Sequence, residues 1–213
     1  MRLEATDWLT HLEDARTLAL AGDAEGVHQV RVALRRLRVW LGFKGHAALQ
    51  EELRWLCGEL AQLRDLDVFG AVLTAESLAE LRPGAVDAAA EALESERWLL
   101  LREGLGRVRP PRRSRARRSL ARLERKLEKL RERLPPGDGE ALHRLRRALR
   151  GVRYAREWLG LDTAELSEEQ ERLGAMCDLL ALRAFTSRLG VEVPAQLTAG
   201  IERAFALLEA ARP

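Results

Sequence analysis

Residues 27–41 read VHQVRVALRRLRVWL, and residues 142–158 read LHRLRRALRGVRYAREW. Laid over each other at a constant offset of 115, they pair His28 with His143, Arg31 with Arg146, Arg35 with Arg150 and Arg38 with Arg153. Neither copy holds a proline, and both are rich in Leu and Arg, which favour helix. At 3.6 residues per turn, Val27, Val30, Leu34, Leu37 and Leu41 form one apolar stripe. His28, Arg31, Arg35 and Arg38 fall on an adjoining strip about 80° wide. Leu142, Leu145, Leu149 and Val152 repeat the stripe beside His143, Arg146, Arg150 and Arg153. The first strip has no acid between Gln29 and Leu49, and the second has none between Ala141 and Arg156. Solvated helix faces usually mix acids with bases for i,i+4 pairing. A row of cations at the edge of a buried stripe, without local counterions, is suited to receive an anion.

The composition agrees with a helical protein. Of 213 residues, 46% are hydrophobic but only 5% aromatic, so Leu and Ala must fill the core. Leu, Ala, Arg and Glu dominate, which predicts an all-α chain. The length fits one domain or two small halves sharing a core. Net charge is only +3, yet residues 107–156 hold 19 Arg and Lys against 5 Asp and Glu. Three of the 36 cations are lysines. Arginine suits phosphate because its planar fork makes paired hydrogen bonds and stays charged. Cys57 and Cys177 form no CxxC and read as reduced, buried thiols. No apolar run approaches a membrane span of about 20 residues. The acidic N-terminus does not read as a signal peptide, which predicts a cytoplasmic location and no membrane partner.

Along the chain, helices are predicted near residues 3–21, 27–42, 47–63, a shorter one to 81, and a long one from Pro83 to 107. Gly22 stops the first, and Asp23 can cap the second. The double proline Pro110-Pro111 predicts a boundary between units 1–109 and 110–213. After it the plan restarts. Leu120, Leu123, Leu127, Leu130 and Leu134 match Ala5, Trp8, Leu12, Ala15 and Ala19 at offset 115. Asp138 can cap the second motif helix, and residues 162–169 read as a polar connection. Residues 173–179 match residues 60–66 at offset 113, which pairs Asp65 with Asp178. Pro194 is expected to open a last helix to about residue 211. Two similar helical units in pseudo-twofold packing are the economical arrangement.

The doubled pattern H-x-x-R-x-x-x-[RK]-x-x-R, followed by Arg153-Tyr154, resembles the CHAD family of α-helical domains named for their histidines. The resemblance runs over nearly the whole chain. It implies an all-α fold of two helical bundle units with a basic groove or channel between them. It also implies that inorganic polyphosphate is the partner. The relatives often carry a catalytic domain that handles triphosphates; with the chain stopping at Pro213, such a polyphosphate- or triphosphate-processing enzyme is expected as a separate partner. Association with polyphosphate granules is implied in the same way.

On this reading the polyphosphate-binding residues are His28, Arg31, Arg35, Arg38, His143, Arg146, Arg150 and Arg153. Arg118, Arg122, Arg125 and Lys126 join them from a third basic helix, residues 115–133. That helix either lines the site or faces solvent, partly paired with Glu124, Glu128 and Glu132. His28 and His143 either donate to phosphate oxygens or bond structurally. Asp65 and Asp178 are expected to orient motif arginines. A metal on His28 and His143 with either aspartate is disfavoured by the surrounding arginines, so neither metal nor cofactor is expected. No Walker A, GxGxxG, HExxH or nucleophile–base pair is present, so no enzyme is expected. The alternatives are an RNA backbone-binding module and, behind it, a phosphohydrolase. The chain has no Asn and a single Tyr, poor resources for reading or stacking on bases.

Overall fold

The structure, a computed structural model, describes residues 3–135, 138–190 and 199. The expected last helix from Pro194 lies outside the described residues. Those residues are all-α, with no strand among them. In chain order the helices are α1 (Thr6–Leu20), α2 (Ala24–Gly42), α3 (Ala47–Glu59), α4 (Ala61–Phe69), α5 (Ala75–Glu94) and α6 (Glu96–Gly106). They continue as α7 (Arg113–Glu132), α8 (Gly139–Leu159) and α9 (Ala164–Leu189). The chain divides into two compact units, Met1–Arg117 and Arg118–Pro213. No helix among the described residues is long and apolar enough to cross a membrane.

In the first unit, α2 is the central element, packed against α1, α3 and α4. Its start is fixed by Asp23, whose Oδ1 accepts from the Gly26 N–H at 2.6 Å, satisfying a donor that a helix start leaves open. Val27, Val30, Leu34, Leu37 and Leu41 are all fully buried, as their spacing requires. Gly26 permits the closest approach: a Cβ there would lie 2.6 Å from the Ala19 backbone nitrogen, so α1 leaves no room for a side chain. Trp40, also buried, donates from Nε1 to the Leu3 carbonyl at 2.7 Å. Arg115 donates from Nε to the Phe43 carbonyl at 2.9 Å and from Nη2 to the Lys44 carbonyl at 3.1 Å. A cation thus sits on the carbonyls beyond the C-terminus of α2, where the helix dipole favours it.

Four expected boundaries shift. The predicted helix over 47–63 breaks at Leu60, which separates α3 from α4. Pro83 lies inside α5 rather than at a helix start. Pro83 and Ala79 are both exposed, so water can satisfy the carbonyl that proline deprives of its donor. The long helix expected to reach residue 107 divides at Ser95, whose Oγ accepts from the Trp98 N–H at 3.1 Å and so starts α6. The expected connection over 162–169 is mostly helix: α9 begins at Ala164, with the Ala164 N–H bonded to Asp162 Oδ1 at 3.0 Å.

In the second unit α8 packs along α9. Asp138 caps α8 by accepting from the Ala141 N–H at 2.9 Å, and Gly160 ends it in the left-handed region at φ +63. Leu142, Leu145, Leu149 and Val152 are buried. Arg156 Nε donates to Glu124 Oε1 at 3.1 Å, tying α8 to α7. Arg131 binds both carboxylate oxygens of Glu169, tying α7 to α9, with Nε at 3.2 Å from Oε1.

Candidate functional site

The stripe-and-strip geometry leaves His28, Arg31, Arg35 and Arg38 half-buried along α2, beside its buried stripe. Arg31 is held by its environment: Nη1 donates to the Cys57 carbonyl of α3 at 2.5 Å. Burial, and then the neighbouring Arg35 and Arg64, push the Arg31 guanidinium below its ordinary range, against the opposing pull of Cys57 and Asp65. Gln50 Nε2 donates to the Arg38 carbonyl at 2.8 Å, fixing α2 against α3 beside the strip. The Arg35 Nε is buried without a hydrogen-bond partner among the described residues. A buried charge-bearing donor left open is costly, and an incoming oxyanion would satisfy it.

On α8, His143, Arg146, Arg150 and Arg153 are likewise half-buried. Arg146 Nη1 lies 3.1 Å from Asp178 Oδ1 on α9, while its Nε is buried without a hydrogen-bond partner among the described residues. Gly174 faces this arginine, and a Cβ there would make only an ordinary contact, 3.4 Å from Arg146 Nη2. Arg153 is more committed. Its Nε donates to Gln170 Oε1 at 3.0 Å, its Nη1 lies 3.0 Å from Glu157 Oε1, and its guanidinium sits over the Tyr154 ring at 4.9 Å. The second strip is therefore not free of counterions, contrary to its acid-free sequence window. Glu157 reaches back one turn from just beyond that window, and Asp178 comes from another helix.

Both histidines share one electrostatic setting. Burial first, then Arg64, Arg35 and Arg31, lower the His28 pKa from 6.5, while Glu25 opposes them. Burial first, then Arg146 and Arg147, lower that of His143, while Asp178 opposes. Both imidazoles are therefore neutral at pH 7, each with one N–H to donate. The unfolded chain takes up protons at these histidines first, so their contribution to stability is present above pH 6.5 and lost as pH falls through the lowered values. Asp67 opposes this only at more acid pH: burial raises its pKa from 3.8, so its protonation favours the fold. Chemical denaturation of the ligand-free chain at two pH values either side of the ordinary histidine pKa should show lower stability on the acid side. His28→Gln with His143→Gln should flatten that difference; an undiminished difference would place the titration elsewhere, with His46 the next group, its pKa lowered by burial and then by Lys44 and Arg115.

Arg118, Arg122, Arg125 and Lys126 are exposed on α7. Arg125 Nε turns back to the Ala121 carbonyl at 3.2 Å. The acids on this helix are engaged in part: Glu124 with Arg156, and Glu128 with Arg131 at 3.3 Å. Asp65 and Asp178 face the equivalent arginines Arg31 and Arg146, the first through its field and the second by a direct ion pair. Among the described residues no group of three or more His, Cys, Asp or Glu is placed to hold a metal ion.

Sequence reasoning missed Arg64. It lies on α4 within the Arg64-Asp65-Leu66-Asp67 run, half-buried, and its charge acts on both His28 and Arg31. The signal is present in the matched segments, where Arg64 directly precedes Asp65. The Cys57 carbonyl was also missed, because a backbone acceptor leaves no mark in sequence.

The chain resembles two solved structures. One is the crystal structure of the CHAD domain from the plant Ricinus communis, at 24% identity and a TM-score of 0.68, covering 97% of this chain and 83% of that one. The other is PptA from Streptomyces chartreusis, at 18% identity and a TM-score of 0.63, covering 95% of this chain and 92% of that one. These likenesses concern the fold. No curated protein matches the sequence. The CHAD domain family matches residues 4–187, which include both His/Arg strips, all of α1–α8 and nearly all of α9, and the chain therefore belongs to the CHAD domain family.

Proposed function

We propose that this chain binds inorganic polyphosphate through the His/Arg strips of α2 and α8, and that no chemistry is required of it. The observation that carries the reading is the pair of Nε donors of Arg35 and Arg146, buried without a partner among the described residues, at the edges of apolar stripes that fix both helices. Neutral His28 and His143 add hydrogen-bond donors without adding charge repulsion to the crowded arginines. Phosphate oxygens match this set, because each can accept from a guanidinium fork and from an imidazole N–H. Family membership supports the same ligand. The exposed cations of α7 supply a field that concentrates polyanions near the chain. Free Cys57 and Cys177 suit a reducing compartment such as the cytoplasm. A polyphosphate- or triphosphate-processing enzyme is the natural working partner.

Calorimetric titration with tripolyphosphate, long-chain polyphosphate and single-stranded RNA tests this. Long polyphosphate should bind far more tightly than tripolyphosphate, because many modest contacts act together. RNA should compete poorly. Displacement of bound polyphosphate by an equal phosphate concentration of RNA would replace this reading with a nucleic-acid module, and phosphate release with magnesium would replace it with an enzyme.

A further inference from the structure

The two units are not equivalent at the residue that precedes the matched aspartate. Residues 60–66 match residues 173–179, so Arg64 in the first unit stands where the second has Cys177. The aspartates that follow, Asp65 and Asp178, are the same residue in both. In the first unit α4 packs against α2, and Arg64 is half-buried in its first turn, its N–H bonded to the Leu60 carbonyl at 3.3 Å. Its field reaches both His28 and Arg31, where it is the strongest of the cations acting on the imidazole. Arg35, whose Nε is buried without a partner among the described residues, is another cation acting on the same two residues. In the second unit Cys177 is completely buried. Burial raises the Cys177 thiol pKa, so the thiol is neutral there although it hydrogen-bonds to Arg146. Arg146 meanwhile has Asp178 as a direct counterion.

We propose that Arg64 is a further phosphate-binding residue, making the α2 strip the stronger anion site and the α8 strip, with Cys177 in the matching place, the weaker. This rests on the polyphosphate reading above. The chemistry is specific to a group with several anionic oxygens. Arg31 has one nitrogen committed to the Cys57 carbonyl, so a cation approaching from a second helix lets one phosphate be gripped from two directions. A neutral thiol in the same position supplies neither charge nor a strong donor. The first strip therefore binds a short chain more tightly than the second.

The test uses the full chain with tripolyphosphate and long-chain polyphosphate as probes. Arg64→Gln should weaken tripolyphosphate binding about tenfold, the loss of one charge-assisted contact. Arg107→Gln, the same change of net charge at an exposed residue just past the end of α6, paired with Glu103, should change it less than about twofold. Imidazole NMR supplies a readout that needs no ligand: Arg64→Gln should raise the His28 pKa only in part, since Arg31, Arg35 and Glu25 still act on His28, and leave His143 alone, since Arg146, Arg147 and Asp178 act there. Arg64→Lys keeps the charge without the planar fork, so it should restore the His28 titration while binding tripolyphosphate a few-fold more weakly than the parent. If Arg64→Gln does not fold, this Lys variant carries the test, and parent-like affinity would overturn the assignment. Parental affinity in Arg64→Gln, or an unmoved His28 titration, would also overturn it while leaving the polyphosphate reading intact. A parent chain that binds neither probe would overturn both.

Discussion

Arg35→Ala combined with Arg150→Ala should lower affinity for long-chain polyphosphate about a hundredfold or more at low salt, since each removes a charge-assisted contact worth about 1.5–3 kcal/mol. Arg112→Ala with Arg117→Ala, which removes the same charge from exposed positions, should change affinity only a few-fold. The contrast isolates placement from net charge. Arg35 makes the first half of the argument. Its Nε is buried without a partner among the described residues, and its like-charged neighbour Arg31 already has a depressed pKa. Without ligand, Arg35 is thus a source of repulsion, and its removal should leave thermal stability unchanged or raise it. Arg31→Ala should behave differently, because the Cys57 carbonyl then loses its donor; a loss of about 1 kcal/mol in stability is expected. Affinity and thermal unfolding measured on the same variants separate the two roles. A double variant that binds like the parent would remove the strips as the site. One that unfolds without ligand would make Arg35 and Arg150 structural and move the binding surface to the exposed cations of α7.

The elements that sequence made legible are those governed by local periodicity and local caps. The stripe from Val27 to Leu41 is buried because five apolar residues at helical spacing leave only one face to bury. Asp23 and Asp138 cap α2 and α8 because a carboxylate there has an open N–H three residues on. Ser95 obeys the same chemistry, yet it sits in an unbroken run of good helix formers where nothing else announces a break. Pro83 misled in the opposite sense, because an exposed proline can be carried within a long helix when water reaches the orphan carbonyl. The His/Arg strips were legible as rows, and the repeat also marked Asp178, 32 positions from Arg146, as a residue set to orient a motif arginine. The Cys57 carbonyl, 26 positions from Arg31, was not legible. A backbone acceptor depends on how helices pack, which periodicity within one helix does not encode. Glu157 was missed for a simpler reason: a window that ended at Arg156 stopped one residue short of the i+4 partner of Arg153.

Those partners shape the second large effect, the response to salt. Polyphosphate carries one charge per unit and no bases, so its affinity should fall steeply as salt displaces it. For single-stranded polyanions each neutralised phosphate contributes about −0.7 to the slope of log affinity against log salt. If all six motif arginines released counterions equally, the slope would be about −4, and a fourfold rise in salt would weaken binding about 250-fold. The two strips should not contribute equally. Arg153 already has Glu157 at 3.0 Å and Gln170 at 3.0 Å, so binding there exchanges an internal partner for a phosphate and releases little salt. Arg146 is intermediate, with one nitrogen on a half-exposed Asp178. The expected slope is therefore nearer −3, or about 60-fold over the same change. Glu157→Gln should free Arg153, raising affinity at low salt and steepening the slope by about 0.7. Titrations of the parent and this variant at four salt concentrations decide the matter. A slope near zero would mean that the arginines do not meet phosphate at all. A parental slope in Glu157→Gln would mean that Arg153 holds Tyr154, Gln170 and α8 together rather than facing the ligand.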